Sequence, residues 1–228
     1  MIAWSVAERI GAVIAGDGAG FAALPGDLAV LGERSVAAVL QTTRLEPQGS
    51  LPAPTAVDRA AWTRANLVIM RATVAPLEDQ LERQVASLPG PVRAAAGSVV
   101  AAEAGAVVGY MGRRVLGQYE VVLSPGDAAP QAPPRLLLVA PNIHESAARL
   151  LVPLDDLLAW VTVHEVTHAV QFAAAPWLRG HLAGLLGELL AGAEIDLAKG
   201  ARAAMPSLDD LRGIWDRART DEIGRAHV

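Results

Sequence analysis

The sequence predicts a mainly α-helical protein carrying a small antiparallel β element. Three observations lead there. Apolar residues recur at steps of three and four through much of the chain, the period of a helix buried along one stripe. Two short runs, 115–123 and 135–140, are rich in β-formers and bounded by turn residues. The composition is 52% hydrophobic with a mean hydropathy of +0.32, yet only 4% aromatic. Many small side chains and few rings favour closely packed helices. A chain of 228 residues has room for one large domain or two small ones.

The elements follow in order. Val6, Ile10, Val13 and Ile14 make an apolar helical face that ends at Gly16-Asp17-Gly18. A second helix starts near Asp27 and carries Leu28, Leu31, Val39 and Leu40. Residues 46–54, with three prolines and Gly49, read as a turn-rich connection. Asp58 is placed to cap the next helix, whose apolar positions run Leu67, Met70, Val74, Leu77, Leu81, Val85 and Leu88. Pro76 inside that run predicts a kink or two abutting helices. Pro89-Gly90-Pro91 ends it.

A helix over 94–112 follows, with Gly97, Gly105, Gly109 and Gly112 suited to close helix contact. This is the most membrane-like window, but Glu103 sits in its middle, so a buried helix is the reading adopted. The two β-runs come next, paired antiparallel across a surface loop from Ser124 to Pro134. A further apolar helix starts at Pro153-Leu154-Asp155-Asp156 and stops before Pro176, and Leu185 to Leu190 reads as a later helical stretch.

Several classes are disfavoured. A net charge of −5 with scattered Lys and Arg gives no footprint for nucleic acid or an acidic membrane. With no cysteine, disulfides and thiolate metal sites are excluded, leaving His, Asp and Glu as metal ligands. Glu8 and Arg9 interrupt the first apolar stretch, so no signal peptide is read there, and a cytoplasmic protein is expected.

The chemistry concentrates at His164-Glu165-Val166-Thr167-His168. On a helix, His164 and His168 lie one turn apart on the same face. Two imidazoles so placed can hold one Zn²⁺. Glu165, beside the first ligand, reaches a zinc-activated water and serves as general base while the metal polarises a carbonyl. A random order of this composition gives the pattern in roughly one chain in a hundred. Its setting, mid-helix in an apolar segment, strengthens it, since burying two histidines and a glutamate without partners is costly. A pair of hydrogen-bonded core histidines is the plain alternative.

A third ligand is ambiguous. Metzincin spacing falls on Ala174 and is excluded. Thermolysin-like spacing, twenty residues after His168, falls on Glu188, although the acid usual four residues later is Gly192 here. Glu194, Asp196 and His181 are weaker candidates.

Three further stretches, residues 57–66, Arg114 to Tyr119 and Val139-Ala140-Pro141-Asn142, together with Trp160 to Phe172 and Pro176-Trp177-Leu178-Arg179, resemble a known family. It comprises the zincin-like metallopeptidases of actinobacteria and related bacteria, linked by name to deazaflavin-coenzyme biosynthesis. The resemblance extends to about Ala198. It implies a helical N-terminal region over 1–90 and a zincin-like catalytic region over 91–221, with Zn²⁺ on His164 and His168 and Glu165 as catalytic base. The family pattern also has a later Glu-Gly-His segment as a candidate ligand, and this sequence contains none.

The segment Glu222 to Val228 matches the translation of a common sequencing adapter, so residues 222–228 are expected to be an artefact, His227 is set aside as a ligand, and the catalytic region is expected to be C-terminally truncated.

The remaining marked residues have modest readings. Gln118 and Tyr119 line a peptide groove at a strand edge or simply pack in the sheet. His144 is expected in a loop, Trp160 and Trp177 in the core, and Arg179 in a local salt bridge or cap. The leading function is a zinc-dependent peptidase or amidohydrolase acting on a peptide or amide substrate. The alternative is a non-catalytic zincin-like scaffold binding a partner or metabolite, and a third reading is a helical interaction module with core histidines. Substrate, bond cleaved and oligomeric state are left open.

Overall fold

Four consecutive apolar residues, Leu136 to Val139, organise the molecule. The computed structural model describes residues 2–16, 23–84, 86, 89–121, 123 and 133–192. Among these are seven helices and three strands: α1 (Trp4–Ala15), α2 (Leu28–Thr43), β1 (Pro54–Val57), α3 (Arg59–Gln84), α4 (Gly90–Gly112), β2 (Gly117–Glu120), β3 (Arg135–Val139), α5 (Ala140–Leu150), α6 (Leu154–Ala174) and α7 (Pro176–Gly192).

The strands form one sheet in the order β1-β3-β2. The antiparallel pair expected from sequence is present, with Gly117 opposite Leu138 and Tyr119 opposite Leu136. The third strand is an addition to the sequence reading: it begins at Pro54, the last residue of the turn-rich connection. β1 runs parallel to β3, Pro54 opposite Leu136 and Val57 opposite Val139, so the sheet is mixed. Pro54 occupies the first position of its strand, where a missing N–H does least harm.

Side chains alternate across a sheet, so the continuous apolar run of β3 serves both faces. Leu136 and Leu138 join a core with Ile143, Leu158, Val161, Val166 and Val170, which brings in α5 and α6, and Val39 of α2. Leu137 and Val139 join a second core with Trp4, Ala7, Trp62, Leu67, Ala101 and Val108 from α1, α3 and α4. The result is a helix–sheet–helix sandwich in which α6 is spread over the sheet.

Three expectations need correction. The buried face of α1 is Trp4, Ala7, Gly11 and Ala15, and Val13 is 80% exposed. Close approach to α4 outweighs side-chain hydrophobicity there. A β-carbon on Gly109 would stand 2.5 Å from the Gly11 carbonyl oxygen, and one on Gly105 would overlap the main chain of Ala7. α3 runs through Pro76 as one helix, which rules out the second of the two readings, a pair of abutting helices. His144 lies on a helix, α5, because Pro141 sits in the first turn, where proline is tolerated, and Ile143 and Ala147 then face the core. The expected glycine contacts on α4 are found: Gly97, Gly105, Gly109 and Gly112 are all buried. By length and composition α4 is long and apolar enough to cross a membrane. The segment 222–228, its His227, and most of the 124–134 loop lie outside the described residues.

Candidate metal centre

α6 begins after Pro153, with Asp155 and Asp156 in its first turn, and ends before Pro176. Its inward face is Leu157, Leu158, Val161, Thr162, Glu165, Val166, Ala169 and Val170. The motif helix is therefore buried on one side only. His164 and His168 lie on its solvent side while Glu165, one residue on, turns under the helix.

The two imidazole rings are brought together, with centroids 4.9 Å apart and planes nearly perpendicular. Gln171 Oε1 lies 3.1 Å from His168 Nδ1. A proton on Nδ1 donates to that amide and leaves Nε2 as the lone-pair nitrogen for a metal, the usual way an outer partner sets a ligand's tautomer. On the other side, the indole of Trp160 stacks on His164 at 5.6 Å and 25°.

Glu165 is 7% exposed. Its Oε2 accepts a hydrogen bond of 2.8 Å from the backbone N–H of Tyr119 on β2. The approach depends on Gly117, because a β-carbon there would fall 2.7 Å from Glu165 Cγ. Burial pushes the Glu165 carboxyl above the usual carboxylate range, while the Tyr119 N–H and the nearby His164 and His168 pull it back. Desolvation dominates, which favours proton uptake at this carboxylate.

A buried polar network fixes the strand that holds Glu165. Asn66 of α3 and Gln118 of β2 exchange two amide hydrogen bonds of 3.0 Å each. Asn142 of α5 donates to the carbonyls of Gly112 and Val115 at 2.9 and 2.6 Å, and accepts from Arg59 Nε at 2.6 Å. Arg59 also pairs with Glu145 at 2.6 Å. Asp58 caps α3 by accepting from the Ala61 N–H. The separate stretches 57–66, 114–119 and 139–142 are thus tied together by side-chain hydrogen bonds, and the strand among them holds Glu165. Tyr119 completes the surround. Its ring lies 5.7 Å from Phe172, one turn past His168, and its side chain hydrogen-bonds Arg179 of α7.

Other candidate residues fall elsewhere. Glu188 is exposed on α7, and His181 lies on the same helix beside Trp177. Glu194, Asp196 and His227 are outside the described residues. Trp160 and Trp177, expected in the core, are 62% and 68% exposed, since α6 and α7 present apolar residues on more than one side. Among the described residues no third His, Asp or Glu joins His164 and His168 in a metal-holding group. The two solvent-side imidazoles, 4.9 Å apart, are of the residue type and spacing that suit two protein ligands of a zinc ion. Gly117 and Gln171 were not singled out from sequence. A glycine inside a β-run and a glutamine three residues past a histidine were the signals.

A family model for zincin-like metallopeptidases matches residues 2–224. The chain is also similar to a crystal structure from Chloroflexus aurantiacus described as a "putative hydrolase with a novel fold", with a TM-score of 0.61 and 25% identity. That match covers 84% of this chain and 60% of the other, so it spans somewhat less than two thirds of that protein. No curated protein matches the sequence.

Proposed function

The chain belongs to the zincin-like metallopeptidase family, and on that premise we propose that it is a zinc-dependent hydrolase of peptide or amide bonds. The observation that carries the reading is the pair of solvent-facing imidazoles, 4.9 Å apart on one helix, with a buried carboxylate at the adjoining position. His164 and His168 would hold the metal. Zinc there supplies Lewis acidity, which polarises a carbonyl and brings the pKa of water toward about 7.

The protein's own residues do the rest. Glu165 accepts the proton of the attacking water and returns it to the leaving amine. The Tyr119 N–H holds one carboxylate oxygen, so the acceptor stays oriented while its protonation changes. The Gln171 amide keeps the His168 ring in register with its neighbour.

The test is metal content by plasma emission on protein purified free of metal and reloaded with zinc, combined with hydrolysis of a peptide library. Wild type should bind zinc one to one. His164→Ala should lose it, whereas Glu165→Gln should keep it and lose turnover by about 10²–10⁴-fold. Full activity in Glu165→Gln rejects the assigned base. The non-catalytic scaffold is the second reading, favoured by the main-chain hydrogen bond that already engages Glu165. Stoichiometric zinc with no turnover on any peptide would select it.

A further inference from the structure

Trp160 stands at the centre without a part in holding metal or moving protons. It lies one turn before His164 and stacks on that ring, yet 62% of it is exposed. Val163, beside it on the same face, is also exposed. Leaving a large aromatic in water forgoes roughly 1.5–3 kcal/mol of burial, and aromatic surface of this kind recurs where proteins recognise ligands. A substrate also needs side-chain contacts here, because the outward N–H of Tyr119 on the edge strand is already given to Glu165 and is closed to strand addition at that residue.

We propose that Trp160 is a specificity-determining residue, its indole forming a platform for the side chain that directly flanks the bond to be cut, so that the site selects aromatic or large aliphatic residues there. The occupant is a peptide segment. The 5.6 Å between the Trp160 and His164 rings lies between the rise of one extended residue, about 3.3 Å, and that of two. A neighbouring side chain therefore reaches the indole when the scissile carbonyl is at the histidines. The inference rests on the peptide-hydrolase reading and narrows its substrate class.

The experiment uses two matched fluorogenic peptides, one with Phe and one with Ala flanking the cleaved bond, on the zinc-loaded full chain. Wild type is expected to prefer the Phe peptide. Trp160→Ala should collapse the ratio of the two kcat/KM values by about 10–100-fold, and Trp160→Phe should restore most of it. The second readout is binding of the same peptides, labelled, to zinc-loaded Glu165→Gln protein by fluorescence anisotropy, with and without Trp160→Ala. Loss of the Phe preference in binding, even if wild type turns nothing over, upholds the platform and rejects the hydrolase reading. Turnover with a preference that survives Trp160→Ala, or no preference in wild type by either readout, overturns the platform and leaves the hydrolase reading untouched.

Discussion

The α-carbon of Gly117 rests against the side chain of Glu165, so closely that a β-carbon there would stand 2.7 Å from Cγ and 3.0 Å from Oε1. The strand and the motif helix can meet only because that position has no side chain. Gly117→Ala must therefore move the carboxylate, the strand or both. The expected cost is about 1–3 kcal/mol, read as a fall in melting temperature of roughly 5 °C. Turnover should drop more than zinc content, because the added β-carbon meets Glu165 and Val161 and neither histidine. An unchanged melting curve with unchanged turnover would remove Gly117 from the site.

Asn142 is the hub of the polar network. It is 2% exposed and serves two carbonyls and one guanidinium at once. Asn142→Ala takes the donor from the Gly112 and Val115 carbonyls and one acceptor from Arg59, which should destabilise the protein by about 2–4 kcal/mol in urea titration. A loss below about 0.5 kcal/mol would mean the network is solvated and does not hold β2 in place.

The α1–α4 contact gives a paired test. Gly109→Ala places a β-carbon 2.5 Å from a main-chain oxygen of α1 and should cost at least about 2 kcal/mol. Val13→Ser, on the outward side of α1, should stay within about 0.5 kcal/mol of wild type. The reverse order would restore the hydrophobic face read from sequence.

Tyr119 titrates above the ordinary tyrosine value because burial disfavours its anion, and Arg179 offsets this through its charge and its hydrogen bond. Removing the guanidinium in Arg179→Gln takes away what stabilises the phenolate, so the midpoint should rise further. The chain has two tyrosines, so absorbance at alkaline pH, with Tyr119→Phe as the assignment control, resolves the shift. A midpoint that falls or stays fixed would show that Arg179 does not act on the phenol.

Local rules carried much of this fold. Asp58 caps α3 as its side chain predicts, α2 starts after Asp27, the 3–4 spacing located α3, and the start signal at Pro153–Asp156 with the stop at Pro176 located α6. The antiparallel pair was visible because both of its runs are β-rich and lie close in sequence. β1 was not, since four residues beginning with proline carry no period, and its partner lies far along the chain. The α1 face was misread because glycine and alanine score poorly as hydrophobes yet allow main chains to touch. At the site, helical geometry alone placed His164 beside His168. The burial of Glu165 against Tyr119 N–H could not be read locally, because it depends on how α6 crosses a strand some forty-five residues earlier.

Parallel pairing of β1 with β3 joins position 54 to position 136. While the chain is being synthesised, β1 emerges long before its partner, and α3 and α4 are complete before the sheet has a centre. Assembly must close that long loop late, with the helices already formed and β1 waiting unpaired. Refolding should accordingly show fast gain of helical signal and a slower phase for the tertiary environment of Trp62, with Val57→Thr slowing the second phase only if β1 docking is part of its barrier.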